Sequence, residues 1–355
     1  MDVGDRWGWR QVLDGAAVVT GAVAASLLDL AGLPSPALFG GLVAGLVRAL
    51  AVPRRAAVPQ QAFTVSQAVV GVTMGALVDL ETLQVVAANW LPVLLVTIGT
   101  LALSLAAGLL LRLRRDISPV TGAFAMIAGG ASGIIVMARE LGADERMVAV
   151  LQYLRVLLIV LLMPVIATVI YGASTDPAPA AGGGDGMGWV PGLLITAGCA
   201  VVGLVVGRLL RVPVAALLGP MVAAAALQLT GLVDGLAVPD LVENAAFLVI
   251  GLQVGISFTR ESLRTIGRAL PSALAVILGL IVASAGLGAV LAAVTGVSAL
   301  DGYLATTPGG LYAVLATATG SGADATFVLA VQVLRLFVML LSAPLVARWL
   351  RRGAA

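Results

Sequence analysis

TGAFAMIAGGASGIIVMARELGADERMVAVLQYLRVLLIVLLMP (residues 121–164) and DGYLATTPGGLYAVLATATGSGADATFVLAVQVLRLFVMLLSAP (residues 301–344) are one segment written twice, 180 positions apart and without a gap. Fourteen of the 44 aligned positions are identical, and in a chain this rich in Ala, Leu and Val some of those matches are compositional. Others are not: Gly129-Gly130 with Gly309-Gly310, Gly142-Ala143-Asp144 with Gly322-Ala323-Asp324, Gln152 with Gln332, Arg155 with Arg335, Pro164 with Pro344. The correspondence runs outward from this block. Leu38-Phe39-Gly40 matches Leu217-Leu218-Gly219, Pro59 matches Pro239, and Gly71 and Gly75 match Gly251 and Gly255. The chain therefore reads as two repeats, 1–171 and 189–355, joined by a linker at 172–188 that is rich in Gly, Pro and Asp.

Apolar residues make up 60% of the chain and charged residues 11%, and the mean hydropathy is +1.10. These values describe an all-α polytopic membrane protein, because a chain in lipid must satisfy its backbone internally. The run from Val12 to Leu33 has the look of a signal peptide, but its counterpart near Val190–Leu210 makes it a retained span. A single cysteine, Cys199, excludes a disulfide framework within one chain. The absence of histidine removes imidazole-ligated metals, imidazole proton relays and Ser-His or Cys-His nucleophiles. Lysine is absent too, and with it any phosphate-binding Gly-x4-Gly-Lys-Ser/Thr loop, so transport powered by ATP on this chain is excluded. The sequence points away from an enzyme, a metal protein or a cofactor protein.

Six apolar segments fall in each half, near 12–32, 36–50, 60–78, 89–111, 119–138 and 146–170, then near 190–210, 214–232, 241–258, 270–294, 299–319 and 325–347. Six crossings per half give parallel repeats; five give inverted ones. The arginines favour five. With the N-terminus inside, and with 119–138 and 299–319 entering and returning on one side, eighteen of the twenty arginines face the cytoplasm. The outer loops then hold Asp79, Glu81, Asp176, Asp185, Asp234, Asp240, Asp301 and Asp324 and no arginine, as the positive-inside rule demands. A pI of about 9.1 is thus a membrane-topology signal and not a nucleic-acid one. The five tryptophans (Trp7, Trp9, Trp90, Trp189, Trp349) fall at span ends, as in an interfacial belt. The expected architecture is two inverted repeats of five transmembrane helices plus one re-entrant hairpin each, with both termini cytoplasmic. AGGASG at 128–133 and TTPGG at 306–310 supply the helix-breaking residues of the hairpins.

Two arginines remain in the membrane. Arg155 and Arg335 each follow, by eleven residues, the Asp that opens their helix, a depth of about 16 Å at 1.5 Å per residue. A charge at the bilayer centre costs roughly 2.5–3.5 kcal/mol on insertion scales, so each needs a partner. One reading makes them ligands of an anionic substrate, a carboxylate above all, through the guanidinium fork. The other ties them permanently to carbonyls of the neighbouring hairpin. Gln152 and Gln332 lie three residues earlier on the same helical face, either to orient substrate or a Na⁺ or as an interhelical clamp. Gly129, Gly130, Gly309 and Gly310 either present backbone N–H groups to the anion or allow close helix packing. Asp144 and Asp324 read first as N-caps, with proton or sodium coupling as a weaker alternative.

The block 301–350, with Pro-Gly-Gly, then Gly-Ala-Asp, then Gln-x-x-Arg, then Pro, resembles the signature of the bacterial AbrB family of integral membrane proteins, the AbrB duplication type. The first half matches with Ala128 in place of the first proline. Members carry labels such as ammonia monooxygenase, transcriptional regulator and regulator of aidB expression. A copper monooxygenase needs imidazole ligands, which this chain lacks. The repeat of five spans plus a hairpin looks like the ion-coupled carriers of the glutamate and citrate symporter kind. With Arg155 and Arg335 as anion ligands, the likeness to such carriers points to a secondary transporter of a small organic anion in the bacterial inner membrane, coupled to Na⁺ or H⁺, whose partners are that anion and the bilayer. Nucleic acid is not expected as a partner, and a homodimer is compatible. The alternative is a membrane-embedded sensor that regulates gene expression through a partner.

Overall fold

The computed structural model describes residues 3–30, 35–51, 57–111, 117–127, 138, 143–173, 188–212, 214–233, 236–257 and 267–352. Among these every regular element is helical: α1 (Val3–Leu30), α2 (Pro36–Ala51), α3 (Gln60–Ala76), α4 (Leu80–Ala88), α5 (Trp90–Leu111), α6 (Pro119–Met126), α7 (Glu145–Val169), α8 (Trp189–Leu209), α9 (Ala215–Leu229), α10 (Asp240–Ile256), α11 (Leu270–Thr295), α12 (Ala299–Thr306), α13 (Leu311–Gly320) and α14 (Ala325–Arg352), with a 3₁₀ turn at Gly267–Ala269. Each apolar segment of the sequence contains helix among the described residues. Two features differ from the expectation. α1 begins well before residue 12, and α4 occupies a stretch read as loop and inter-span sequence.

Four helices, α5, α7, α8 and α11, are individually long and apolar enough to cross a membrane, and a fifth span is counted if α3 and α4 are taken together. α2, α3, α9 and α10 run 15–17 residues, or about 22–26 Å at 1.5 Å per residue, short of the ~30 Å hydrocarbon core. α8 and α11 display valines and leucines outward, among them Val201, Val202, Val205, Val282, Val290 and Val294, all more than half exposed. Apolar side chains in that density on an outer face suit lipid and not water. Trp90 and Trp189 open α5 and α8 and are exposed.

The helices form two compact units, each drawing on both repeats. One unit gathers α1–α3 and α8–α10. Its helices touch backbone to backbone through glycine. A methyl group at Gly41 would overlap the carbonyl of Leu248 and one at Gly45 that of Leu252, while Gly251 and Gly255 face the carbonyls of Leu38 and Leu42 in return. Residue numbers rise together along both helices, so α2 and α10 run parallel. Gly71 and Gly75 meet Leu217 and Met221 in the same way, so α3 and α9 are parallel too. By the same reading α1 runs antiparallel to α2, through Gly21–Ala44 and Gly40–Ala25, and α8 antiparallel to α9, through Gly203–Gly219 and Gly207–Ala215. Gly-x3-Gly spacing allows this approach, and dispersion and close backbone contacts hold helices together where no hydrophobic effect operates.

The other unit contains α4–α7, α11, α12 and most of α13 and α14. α5 packs on α6, α11 on α12, and α5 on α11. Its core has two apolar clusters. Phe124, Ile127, Val148 and Met339 form one; Val93, Val96, Leu291, Ala305, Phe327 and Val331 form the other.

Candidate functional site: two broken segments and their arginines

The segments read as hairpins begin alike. Ser118 caps α6, its hydroxyl accepting from Thr121 N. Ser298, 180 residues later, caps α12 in a reciprocal capping box with Asp301. Both helices are eight residues long and stop abruptly, at Ile127 and Thr307, in extended backbone. After Thr307 the chain turns through Pro308, Gly309 and Gly310, with Gly309 N donating to Thr307 O at 2.8 Å, and resumes as α13. Proline has no N–H to continue the ladder, which ends the helix here. Gly129 and Gly130 lie outside the described residues.

Each abrupt end leaves carbonyl oxygens without helical partners. The polar residues of α7 and α14 take them up. Gln152 Nε2 donates to Phe124 O (2.7 Å) and Ile127 O (2.9 Å), and Arg155 Nη1 donates to Met126 O (2.5 Å). Gln332 Nε2 donates to Leu304 O (2.8 Å), with longer bonds to Ala305 O and Thr307 O, and Arg335 Nη1 donates to Thr307 O (2.5 Å). Within each pair the arginine Nη2 donates to the glutamine Oε1, the contact that three-residue spacing on one helix permits. A cation at the carbonyl end of a helix also meets the negative end of its dipole.

All four side chains are buried, at 1–4% exposure. Neither guanidinium is paired with a carboxylate among the described residues. Asp301, a buried acid of this unit, is committed to Ser298 at the opposite end of α12. Both arginines retain an Nε–H that is buried and has no partner, and Val156, the residue after Arg155, lies 3.5 Å from the Cβ position of Gly310, in the turn whose first carbonyl Arg335 holds. Three further buried hydroxyls of this unit lack partners among the described residues: that of Thr317 on α13, and those of Ser104 on α5 and Ser284 on α11, the two serines again 180 residues apart. Gly108 meets Gly122 across the antiparallel α5–α6 contact, so one turn nearer the tip Ser104 stands opposite Met126. In the second repeat the same register is direct, since Thr306 Oγ1 donates to Ser284 O at 2.9 Å.

α7 orders these parts. At its start Asp144 accepts from Arg146 N and Met147 N as an N-cap, and its own N–H donates to Thr121 Oγ1 at the start of α6. At its far end Tyr171 stacks on the buried Tyr303 in the middle of α12, ring centroids 5.1 Å apart. At its middle lie Gln152 and Arg155, holding the α6 tip, and then Val156 and Ile159, against Gly310 and Gly309. Sequence reasoning brought Gln152, Arg155, Gln332 and Arg335 to notice but not Ser104 and Ser284, although the 180-residue register that picked out the arginines applies to the serines as well. Asp324 lies between α13 and α14, in the position equivalent to Asp144.

Residues 37–351 match the model of the family described as "Transition state regulatory protein AbrB". The chain is 34% identical over 325 residues to the "Putative regulator AbrB" of Escherichia coli K12, covering 90% of each chain. It is 24% identical over 353 residues to the "Uncharacterized protein YhjN" of Bacillus subtilis 168, covering 92% of this chain and 90% of that one. With a family match across nearly its whole length, the chain belongs to the AbrB family.

Proposed function

We propose that the protein is a secondary carrier of a small organic anion, with its site where the α6 tip and the Thr307–Gly310 turn meet beside the middle of α7. The observation that carries this reading is the pair of buried arginines at that point, each held by helix-end carbonyls, neither neutralised by a carboxylate among the described residues, and each with an N–H to spare. Carbonyl dipoles offset only part of two full charges, so an anion entering between them regains favourable charge interaction that the empty site lacks. Both readings of the arginines then hold together: the Nη atoms fasten the tips, and the Nε atoms face the ligand.

The proposed architecture is ten spans in two inverted repeats, with α6 and α12 as the entering arms of re-entrant hairpins. Three contacts support it. Thr121 touches Asp144, so the chain at the start of α7 has returned to the level where α6 began. Tyr303 touches Tyr171 at the other end of α7, so α12 enters from the opposite side. And α10, the copy of α3, runs parallel to α2, whereas spans joined by a link as short as 52–59 alternate in direction. Broken helices meeting at mid-depth from opposite faces are a recurrent carrier design. In this proposal the protein resides in the bacterial inner membrane with both termini cytoplasmic, and Na⁺ or H⁺ supplies the coupling.

Two experiments test it. Purified protein is expected to gain thermal stability from at least one mono- or dicarboxylate, and proteoliposomes to accumulate it; a broad panel without a hit overturns the carrier. Cysteines at Ala323 and Ala143, each in a Cys199→Ala background, are expected to label from outside and only after permeabilisation, respectively. Labelling of both from one side overturns the inversion.

A further inference from the structure

Four of the buried side-chain groups that lack partners among the described residues belong to residues beside the two tips: Nε of Arg155, Nε of Arg335, Oγ of Ser104 and Oγ of Ser284. Burying such a group unsatisfied costs about 1–3 kcal/mol, so each one calls for an explanation. All four can donate, and the two arginine groups can do nothing else. A partner for the whole set must therefore be an acceptor, which excludes a cation or an amine as its occupant. The set is also duplicated. Ser104 stands opposite Met126, whose carbonyl holds Arg155; Ser284 accepts at its own carbonyl from Thr306, next to the Thr307 carbonyl that holds Arg335. Each tip thus carries one guanidinium N–H and one hydroxyl. The two lie close together, since Val156, the residue after Arg155, is 3.5 Å from the Cβ position of Gly310, three residues past Thr307.

Resting on the carrier reading above, we infer that Ser104 and Ser284 are ligand-binding residues, and that with the Arg155 and Arg335 Nε–H groups they form a two-ended, donor-only site for a small dicarboxylate. One carboxylate takes Arg155 and Ser104, the other Arg335 and Ser284. A monocarboxylate satisfies one end and leaves the other empty, so the site discriminates by the number of carboxylates more than by the carbon chain between them.

The test uses the full-length purified protein and compares four-carbon dicarboxylates (succinate, malate) with butyrate, acetate and inorganic phosphate by thermal shift and by calorimetric titration. A dicarboxylate is expected to bind at least tenfold more tightly than butyrate. Ser104→Ala and Ser284→Ala are each expected to weaken the dicarboxylate about tenfold while leaving the ligand-free melting temperature unchanged or higher, because each removes an unsatisfied buried hydroxyl. That combination separates a ligand contact from a structural hydrogen bond, whose loss lowers the ligand-free melting temperature. Equal binding of butyrate and succinate, selective binding of phosphate, or serine variants that melt lower with ligand affinity intact, overturns the two-ended site. With butyrate binding, the anion carrier still stands; with no carboxylate bound at all, it falls as well.

Discussion

The two units solve opposite problems with the same repeats. The unit of α1–α3 and α8–α10 is closed by glycines: Gly41, Gly45, Gly251 and Gly255 bring α2 and α10 into backbone contact, and Gly71 and Gly75 do so for α3 and α9. The unit of α5–α7 and α11–α14 breaks its helices, exposes carbonyl ends within its core and spends arginine and glutamine side chains on them. A glycine zipper has one good packing and resists deformation. A broken segment clamped by side-chain hydrogen bonds holds polar groups ready for a ligand. The contrast assigns rigidity to the first unit and chemistry to the second, and it predicts which substitutions act on folding and which on binding.

The largest effect is expected in the glycine unit. At Gly251 a methyl group would overlap Leu38 O and crowd Leu42 N at 2.8 Å, both rigid backbone. Gly251→Ala is expected to cost roughly 3 kcal/mol, the upper end of overpacking, and to collapse the monodisperse peak in size-exclusion chromatography. Gly310→Ala, by contrast, meets only Val156 Cγ1 at 3.5 Å, an ordinary contact, and the protein is expected to fold normally. Equal damage from both substitutions breaks the comparison.

Next comes the clamp. Arg335→Ala leaves Gln332 Oε1 without its donor in a buried site and takes one of three donors from Thr307 O, which keeps Gly309 N and Gln332 Nε2, while removing a desolvated charge. The net loss is expected to be about 2 kcal/mol, within the 1–3 kcal/mol of one orphaned acceptor. Arg335→Lys restores the charge but not the fork that reaches both oxygens, and should recover only part of the melting temperature. Gln332→Glu sharpens the point. It places a carboxylate against Arg335 but removes the Nε2 donor that Leu304 O, Ala305 O and Thr307 O share, so stability is expected to fall by about 1–3 kcal/mol while carboxylate binding is lost. A variant that still binds removes Arg335 from the ligand site.

Much of this was legible in the sequence. The 180-residue register found the arginine–glutamine pairs, their three-residue spacing implied the side-chain contact now seen, and hydropathy located the segments that became helices. The grouping into units was not legible. α2 pairs with α10 and α3 with α9 across some 150–200 residues of chain, and nothing local records such long-range contacts. The serines were missed for a different reason. A lone Ser in an apolar helix commonly bonds its own preceding turn, as Thr97 does to Val93 O, and only the structure reveals that Ser104 and Ser284 do not. α4 was overlooked because Asp79 and Glu81 at its start read as an outer loop, and nine residues are too few to span a membrane.

The smallest predicted effect concerns Asp144, where the cap and the ion-coupling readings part. Its carboxylate accepts from Arg146 N (3.0 Å) and Met147 N (3.1 Å), and its own N–H is held by Thr121 Oγ1. Asparagine caps as well as aspartate, whereas alanine cannot cap, a difference of about 1 kcal/mol. Asp144→Ala is therefore expected to lower stability by about that amount, and Asp144→Asn to leave it unchanged. Asparagine keeps the carbonyl oxygen that the cap uses but carries no proton and no charge. If capping is the whole role of Asp144, uptake by Asp144→Asn keeps the pH and Na⁺ dependence of the parent protein. If coupling runs through this carboxylate, that dependence disappears while the melting temperature stays in place. The position is solvent-exposed and eleven residues, about 16 Å, from Arg155. A carboxylate there is well placed to finish a helix and poorly placed to share a buried ion with the tips, so the unchanged dependence is the expected outcome.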